Sequence, residues 1–373
     1  MTGASRVRFA VVGNPDNRRV ALFADAVRAA GLPAPRVLAW RDVLRGQSGF
    51  RPGEVVRIDS PGEDPRVDSL LRGPGDPTRV EGGARWYARF TAVVAELAGA
   101  AVGAGARLLD DPADIAVMFD KRRCHARLAA AGVPVPWAAG TPRSPVTGWD
   151  DLGARLAAAR VPRAFVKPAH GSSASGVVAL ALGGAGRVKA VTSVETAPGG
   201  GLFNSLRVRE YRAEREVAAL IDALAPDGLH VERWLPKAAL DGRVCDLRVV
   251  VVGGRATHAV ARTSRHPMTN LHLGGARGDL TRLRAAVAAA GGSWAAAVAA
   301  AEGAAACFPG TLCVGVDVLP AADWRRFAVA EVNAFGDLLP RLTGLPASGA
   351  EGLDTYAAQV AAVLRGEAAD AAA

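Results

Sequence analysis

Two short runs near the C-terminal end decide the fold: 313–320 has the sequence CVGVDVLP, and 327–335 has the sequence FAVAEVNAF. Each is an apolar run interrupted by oxygen-bearing side chains, which predicts a buried strand. Glu331 and Asn333 are two residues apart, so a strand places both on one side. Buried carboxylates are unfavourable unless something compensates for them, and Mg²⁺ would do so through oxygen ligands. We therefore predict a metal site made by Asp317, Glu331 and Asn333.

A second motif is the run AFVKPAHGSSASG at 164–176, where a predicted strand ends in Lys-Pro before a Gly/Ser-rich loop. Small residues let backbone N–H groups approach phosphate oxygens, and Lys167 supplies a point charge. The run does not match the P-loop pattern GxxxxGK[ST]. A plain hairpin turn is the simpler interpretation of this loop, as strand-end salt bridges are for the acidic residues above.

Two further predicted strands carry arginines among apolar neighbours. CDLRVVVVGGR contains Arg248, and AVARTSR contains Arg262. A guanidinium group inside a sheet needs a polyanion or a carboxylate as its partner. Ordinary ion pairing, for example with Asp246, is the alternative to a phosphate-binding role.

Periodicity predicts an alternation of strands and helices in the N-terminal third, which is typical of an open α/β sheet. The Ala-rich run 285–307 is only weakly apolar and contains Glu302, so we expect one or two helices there and no membrane span. The predicted strands are 6–12, 36–40, 55–58, 107–109, 164–167, 177–181, 188–194, 247–252, 256–262, 314–319 and 327–332. The predicted helices are 18–30, 86–98, 120–132 and 353–364.

We predict three units and a tail. An N-terminal α/β unit occupies 1–118, and a small, largely antiparallel lid occupies 119–215. A larger unit with the metal site occupies 216–366, and 367–373 is expected to be a disordered tail. The stretch 189–211 has no counterpart that we can place, and we regard it as a candidate for shaping the substrate side of the site.

Composition limits the class of protein. Of the 373 residues, 50% are hydrophobic and 22% are charged, which is typical of a globular chain. The four cysteines form no CxxC pair and the N-terminus lacks a signal-peptide pattern, so we expect a cytoplasmic protein. The net charge is +9, but the arginines are spread out with few aromatics between them, which argues against a nucleic-acid partner. The sequence leaves self-assembly open.

Lysine is rare in this chain. Its only lysines are Lys121, Lys167, Lys189 and Lys237 among 45 basic residues. A lysine can mark a place where a compact ammonium works and a planar guanidinium does not, although chance survival explains a surface lysine equally well.

The motifs occur in an order that resembles the ATP-grasp superfamily. The matching pieces are DK…GVPVP, FVKP-HGSSASG, VERWL, CDLRVVVVGG, AVAR, TNLHLGG, GVDVL and AEVNAF. They are most similar to the branch that contains glutathione synthetase and the ribosomal-protein glutamate ligase RimK, and they cover 120–345. The resemblance implies an ATP-grasp fold, in which two α+β subdomains grip ATP, preceded by an open α/β domain like the pre-ATP-grasp domain.

The resemblance also implies roles for individual residues. The catalytic set would be Lys167, Arg248 and Arg262, with Arg262 against the γ-phosphate and acyl-phosphate oxygens. The trio Asp317, Glu331 and Asn333 would hold one or two Mg²⁺ ions, with Mn²⁺ as an alternative. The ATP-binding set would be Lys121, Lys167, Gly171, Ser172, Ser173, Ser175, Gly176, Glu232, Arg233, Trp234, Leu235, Asp241 and Asn270.

The chain departs from the family pattern in two places. Relatives often carry an acid for the ribose hydroxyls shortly after the adenine hinge at 232–235, whereas this chain has Lys237, with Asp241 as the substitute. Relatives commonly have Ser-Pro-Gly after the EVNA motif, whereas this chain has Phe-Gly-Asp at 335–337. That region borders the acceptor pocket, so the substrate of a relative does not carry over.

The resemblance implies an ATP-dependent ligase that activates a carboxylate as an acyl phosphate and passes it to an amine or thiol. The substrates would be small molecules or peptides. The alternatives are an ATP-grasp kinase, which would leave a stable phosphorylated product, and a nucleotide-binding protein without turnover, which would release no ADP.

Overall fold

The computed structural model describes residues 7–171, 175–184, 186–197, 200–269 and 274–366. It contains three β-sheets that follow one another along the chain, with helices packed against them. The α/β class predicted from the sequence is confirmed. The predicted tail at 367–373 lies outside the described residues.

The first unit is built on a four-stranded parallel sheet. Its elements are β1 Arg8–Gly13, α1 Arg18–Ala29, β2 Arg36–Ala39, α2 Trp40–Val43, β3 Glu54–Ile58, α3 Pro65–Arg72, α4 Gly83–Ala104, β4 Arg107–Leu108 and α5 Pro112–Met118. The strand order is β2-β1-β3-β4. Alternate residues of β1 enter two cores, Phe9 and Val11 beside α1, and Ala10 and Val12 on the side of α4.

The lid is a six-stranded antiparallel sheet with the order β5-β10-β6-β7-β8-β9. Helix α6 Lys121–Ala130 precedes the lid and packs through Cys124 and Leu128 on a core shared with the first and third units. The lid elements are β5 Ala138–Ala139, α7 Trp149–Ala158, β6 Arg163–Pro168, β7 Val178–Leu182, β8 Val188–Thr196, β9 Leu202–Tyr211, α8 Glu214–Leu224, a 3₁₀ helix Ala225–Asp227 and β10 Leu229–Arg233. Helices α7 and α8 cover the sheet through a core that includes Leu152, Leu156 and Val217. The predicted limit at 215 falls before α8 and β10, yet β10 pairs with β5 and β6, so the lid extends to Arg233.

Strand β9 is the part of 189–211 that sequence reasoning left unassigned. It pairs with β8 and forms the outer edge of the lid sheet. A segment of the first unit, 76–84, here called the strap, runs along it: the Val80 amide donates to the Leu202 carbonyl at 2.8 Å, and the Asn204 amide donates to the Thr78 carbonyl at 2.7 Å. The strap therefore ties the first unit to the lid.

The third unit is built on a sheet with the order β14-β13-β12-β15-β16, and a short strand, β11, also pairs with β12. Its elements are β11 Ala239–Leu240, β12 Arg243–Val252, β13 Arg255–Ser264, β14 Ala276–Gly278, α9 Leu280–Ala289, α10 Trp294–Ala305, β15 Cys313–Pro320, β16 Phe327–Asn333 and α11 Thr355–Arg365. One face of β12 packs on α9 and α10 through Leu247 and Val249. The opposite face of β12 is apolar at Val250 and Val252, which share a core with the first unit. Towards the start of the strand the same face carries the charged residues Asp246 and Arg248.

The Ala-rich region forms two helices, α9 and α10, as the sequence predicted. Across the part of the chain that the structure describes, no single helix has the length and apolarity to cross a membrane. The pair α9 and α10 meets that test together, by length and composition only, and is bent by 113° at its break.

Candidate active site

Register brings the charged residues of the third sheet onto one face. Arg248 lies opposite Asp317, and Asp317 in turn lies opposite Glu331. Asp246 lies opposite Arg262 on the neighbouring pair of strands. Directly opposed residues project to the same side of a sheet, so these side chains form one surface. We call Asp246, Arg248, Arg262, Asp317, Glu331 and Asn333 the charged face.

Asp317 is the centre of the charged face. It accepts from Arg248 at 2.5 and 3.1 Å and pairs with the second guanidinium, Arg262, at 2.9 Å. Burial alone would raise the pKa of Asp317, but Arg248 and Arg262 outweigh it and hold the pKa well below its usual range. The carboxylate is therefore ionised at neutral pH and fixed in position by two cations.

Glu331 and Asn333 complete the predicted metal trio. Glu331 pairs with the Lys121 ammonium at 2.5 Å. The side-chain amide of Asn333 donates to the Gly315 carbonyl at 3.1 Å, so its Oδ1 is the atom left to act as a ligand. Two carboxylates and one amide oxygen on adjacent strands are a donor set that suits Mg²⁺. Within the described ranges no group of three or more His, Cys, Asp or Glu side chains could hold a metal ion, so the amide is needed to complete this set.

Lys121 connects the charged face to the loop that follows Lys167. It is the first residue of α6, whose N-terminus is capped by the Asp120 side chain. Its ammonium donates to the Gly171 carbonyl at 2.7 Å, and its backbone amide donates to the Ala169 carbonyl at 2.9 Å. The base of the Gly/Ser-rich loop is thus held beside Glu331.

Lys167 lies on the lid, near the end of β6, and pairs with Glu232 of β10 at 2.6 Å. Burial alone would lower the pKa of Lys167, but Glu232, Glu331 and Asp317 raise it above its usual value. Burial likewise opposes ionisation of Glu232, but Lys167 and His230 bring the pKa of Glu232 to about 2. A buried cation therefore faces the carboxylates of the third sheet from the lid.

The predicted adenine hinge continues from β10. The Trp234 amide donates to the Arg163 carbonyl at 2.9 Å, and its ring lies 5.2 Å from that of Phe165. Both rings pack against an apolar cluster that includes Met268 of the third unit. Arg233 is exposed and Leu235 is half-buried. The hinge is therefore packed against an apolar cluster to which the lid and the third unit both contribute.

The structure does not bring Asp241 to the other predicted residues. Its carboxylate makes two 2.9 Å hydrogen bonds with Arg282, and its side chain is 64% exposed. The reason is local, because Asp241 occupies the β11–β12 turn with a φ of 51°. Of the remaining predicted residues, Ser175 and Gly176 lie where the Gly/Ser-rich loop returns to β7, and Ser172, Ser173 and Asn270 lie outside the described residues.

Sequence reasoning missed a buried network beside the charged face. Asp337, four residues after Asn333, accepts from Arg57 of β3 and from Arg19 of α1, each at 2.8 Å. Gln359 of α11 donates to the same carboxylate at 2.9 Å. Burial opposes ionisation of Asp337, but Arg57 and Arg19 bring its pKa to about 2. The sequence signals were the Phe-Gly-Asp departure at 335–337 and a charged pair, Arg57 and Asp59, at the end of an apolar run.

Comparisons with solved structures identify the fold. The chain is similar to the D-cycloserine synthetase DcsG, with a TM-score of 0.57, 18% identity, and 95% of this chain and 99% of that chain covered. It is similar to the ATP-grasp ligase PsnB complexed with a phosphomimetic variant of a minimal precursor, Mg and ADP, with a TM-score of 0.51, 18% identity, and 97% and 99% covered. It is also similar to a RimK domain ATP-grasp protein from Sphaerobacter thermophilus, with a TM-score of 0.51, 16% identity, and 96% and 100% covered.

No protein-family model and no curated protein matches the chain. The structural likeness extends over nearly the whole chain, which therefore has the ATP-grasp fold that the sequence resemblance predicted.

Proposed function

We propose that this chain is an ATP-dependent ligase that joins a carboxylate to an amine, or a thiol, through an acyl phosphate. One observation carries the proposal: Asp317, Glu331 and Asn333 lie on one face of the third sheet, with Arg248 and Arg262 beside them and Lys121 on Glu331. An ATP-grasp fold with this set of charges can hold a triphosphate and stabilise transfer of its terminal phosphoryl group.

Binding of the nucleotide would use both sides of the cleft. The hinge at 232–235 would receive the adenine beside the apolar cluster that includes Trp234 and Met268, and Lys121 and Lys167 would neutralise phosphate oxygens. The charged face would hold one or two Mg²⁺ ions, with Mn²⁺ as an alternative, and a bound ion supplies further neutralisation of the triphosphate. ATP is thereby oriented with its terminal phosphorus towards Arg248 and Arg262.

The first step would be attack of a substrate carboxylate oxygen on the γ-phosphorus. A new P–O bond forms, the bond to the β–γ bridging oxygen breaks, and ADP leaves with that electron pair. Arg262 would stabilise the charge on the transferring group, and Arg248 would orient a phosphate or the substrate carboxylate. Both side chains are already held by Asp317, so little reorganisation is needed.

The second step would be attack of the amine nitrogen on the acyl carbon. A C–N bond forms, the C–O bond to phosphate breaks, and the nitrogen releases a proton as inorganic phosphate departs. An acyl phosphate also reacts with water, so the lid sheet would exclude solvent during the transfer.

The fold does not distinguish between a small-molecule substrate and a peptide substrate. The similar folds include a D-cycloserine synthetase and a ligase complexed with a minimal precursor, so a small molecule and a peptide are both in range. The residues at 335–337, which depart from the family pattern, and the Asp337 network would border the acceptor side.

A screen for ADP release tests the proposal. Purified chain is incubated with ATP, Mg²⁺ and pooled amino acids and small peptides, and mass spectrometry is applied to every hit. The expected product is a condensation product formed with stoichiometric ADP and phosphate. A stable phosphorylated product would instead identify a kinase, and nucleotide binding without ADP release over the whole screen would contradict the ligase.

A further inference from the structure

A pocket lies next to the predicted adenine hinge, at the end of β6 that is farther from Lys167. It has a volume of about 230 Å³ and is here called the hinge pocket. Trp234 of the hinge and Pro236 just after it contribute to its wall, and Lys237 and Arg265 of the third unit also line it. Arg163 and Lys167 are four residues apart on β6, so the pocket is roughly 13 Å along the strand from the proposed phosphate site.

The lining of the hinge pocket is cationic. Four of its residues, Arg163, Lys237, Arg265 and His266, carry basic side chains, and no carboxylate stands among the described residues that line it. The guanidinium of Arg163 lies 4.0 Å from the centre of the Trp234 ring. Over the described part of the chain, neither Arg163 nor Arg265 has an ion pair, although many other arginines of this protein do.

Lys237 is the deepest cation of the pocket. Its ammonium donates to the Thr269 hydroxyl at 3.1 Å and lies 3.9 Å from Asp246, which is already paired with Arg262. Burial lowers the pKa of Lys237, and Asp246 offsets this only in part. An anion in the pocket would supply the charge that Lys237 lacks.

Relatives often place an acid at this end of the cleft for the ribose hydroxyls, and the substitute expected from the sequence, Asp241, is held by Arg282 instead. A ribose hydroxyl is a poor match for several cations without a carboxylate among them. A phosphate matches them well, because it accepts several charge-assisted hydrogen bonds and carries about two negative charges.

From this arrangement we infer that the hinge pocket binds a phosphate group other than those of the triphosphate chain. Arg265 and Lys237 bind its oxygens, Arg163 and His266 close the rim, and Trp234 forms the wall. The phosphate belongs either to the ribose of the nucleotide, at its 2′ or 3′ position, or to a separate phosphorylated ligand. A phosphate on the ribose would require the nucleotide to bind as in the proposed function. The cationic lining of the pocket is independent of that proposal.

Isothermal titration calorimetry on the full chain separates the two sources. In one arm, inorganic phosphate is titrated into protein saturated with ADP. If the phosphate belongs to a separate ligand, phosphate should bind in this arm. In the other arm, ADP is compared with ADP that carries a 2′- or 3′-phosphate, and a ribose phosphate predicts a Kd at least about tenfold lower for the phosphorylated nucleotide.

The variant Arg265→Gln, His266→Gln should remove whichever effect the wild type shows. Both residues are exposed, so the double substitution leaves the core intact. Arg66→Gln is the matched control, because Arg66 is an exposed arginine of α3 in the first unit. It should behave as the wild type does.

The inference is overturned if neither arm shows phosphate binding, or if the double variant retains it unchanged. Failure of the proposed function would look different. The ADP-release screen would then give a stable phosphorylated product or no ADP, while phosphate binding in the wild type and its loss in the double variant would be unchanged.

Discussion

Arg262 connects two buried carboxylates of the charged face. Its Nε donates to Asp246 at 2.7 Å, and its Nη2 lies 2.9 Å from Asp317. Burial opposes the charge of this guanidinium, but the two carboxylates raise its pKa above the usual value. The side chain is therefore a fixed cation that requires no rearrangement when negative charge develops beside it.

Replacing Arg262 should affect turnover far more than nucleotide binding. We expect Arg262→Ala to lower kcat by about 10² to 10³, as the loss of a transition-state contact does, while the Kd for ATP changes little. Turnover is measured by ADP release with a substrate from the screen, and the Kd by calorimetry.

Truncation to alanine also leaves Asp246 and Asp317 short of a partner, so a second variant is needed. Arg262→Lys keeps the charge and should fold as the wild type does, yet it loses turnover because a shorter side chain with a point-like ammonium lacks the planar fork that reaches Asp246 and Asp317 through separate nitrogens. Arg255→Lys, at the exposed start of the same strand, is the matched control. Wild-type kcat in both Arg262 variants would refute the role.

Asp110 should give the protein a pH dependence of stability. Burial is the main cause that raises the pKa of Asp110 to about 7, and its Oδ2 accepts from the Ile58 amide at 3.0 Å. In the unfolded chain an aspartate has a pKa of about 3.9. Between about pH 4 and 7 the unfolded chain is therefore ionised while the folded protein holds the proton, so stability falls as pH rises.

Asp110→Asn removes that penalty and keeps an acceptor for Ile58. We expect the variant to gain stability over the wild type as pH rises from about 4 to 7, by up to about 4 kcal/mol, with no further gain above pH 7. Urea unfolding at a series of pH values measures the difference. A difference that stays constant over that window would contradict the assignment.

Gly315 permits a close approach of two backbone segments beside the predicted metal trio. A Cβ on Gly315 would lie 2.6 Å from the Gly336 Cα and 2.8 Å from its carbonyl oxygen, which are backbone atoms. We expect Gly315→Ala to lower the free energy of unfolding by about 1–3 kcal/mol. Gly99→Ala on α4, where a Cβ meets nothing within 4 Å, is the control and should stabilise slightly. Equal melting temperatures for the two variants would show that the contact is unimportant.

At the scale of elements, the strap should control how firmly the lid is held. Asp227 of the lid accepts from the Gly82 amide at 2.6 Å and from the Ala84 amide at 3.1 Å, at the N-terminus of α4. This contact adds to the backbone pairing of the strap with β9. Its loss removes bonds between the two units as well as bonds at a helix end.

We expect Asp227→Ala to speed amide hydrogen exchange in peptides that cover the strap and β9. The control is Asp279→Ala, which removes the N-cap of α9 and costs a similar amount, about 1 kcal/mol. That variant should leave exchange in the strap unchanged. Unaltered exchange in Asp227→Ala would mean that the backbone pairing alone holds the lid.

The strands of the site were readable because their pattern is local. The alternation in GVDV and EVN is enough to predict strands that place Glu331 and Asn333 on one side, and both strands are present. Strand β9 escaped prediction because a Gly-rich stretch precedes it and its residues alternate polar with apolar only weakly. Its extended form depends on pairing with β8 and the strap, which no local pattern encodes.

At the scale of the whole molecule, a buried network joins the beginning and the end of the chain. Asp337 binds Arg57 and Arg19 of the first unit and Gln359 of α11, and the Thr355 hydroxyl donates to the Asp337 carbonyl at 2.7 Å. Arg57 and Asp337 are 280 residues apart in sequence. Such partners are set by the packing of whole units, so no local sequence pattern could pair them.

Tertiary packing also explains why the contacts of Asp241 and Lys237, just after the hinge, differ from those predicted from the sequence. Asp241 was a reasonable substitute for a ribose acid by position alone, but the turn that holds it directs it to Arg282. Lys237, which looked like a simple departure from the family pattern, instead joins Arg163 and Arg265 in one pocket. The pairing of the neighbouring strands determines where the side chains of Asp241 and Lys237 point, and a local sequence pattern does not contain that pairing.

Calorimetric titration of ADP with and without Mg²⁺ tests most directly whether the charged face holds a metal ion beside the nucleotide. The prediction is that Mg²⁺ lowers the Kd of the wild type for ADP at least about tenfold, and that Glu331→Gln and Asp317→Asn each abolish this effect. Asp323→Asn, at an exposed turn just before β16, should retain it. Affinity for ADP that is indifferent to Mg²⁺ in the wild type, or equally Mg²⁺-dependent in all three variants, would refute a metal site on the charged face.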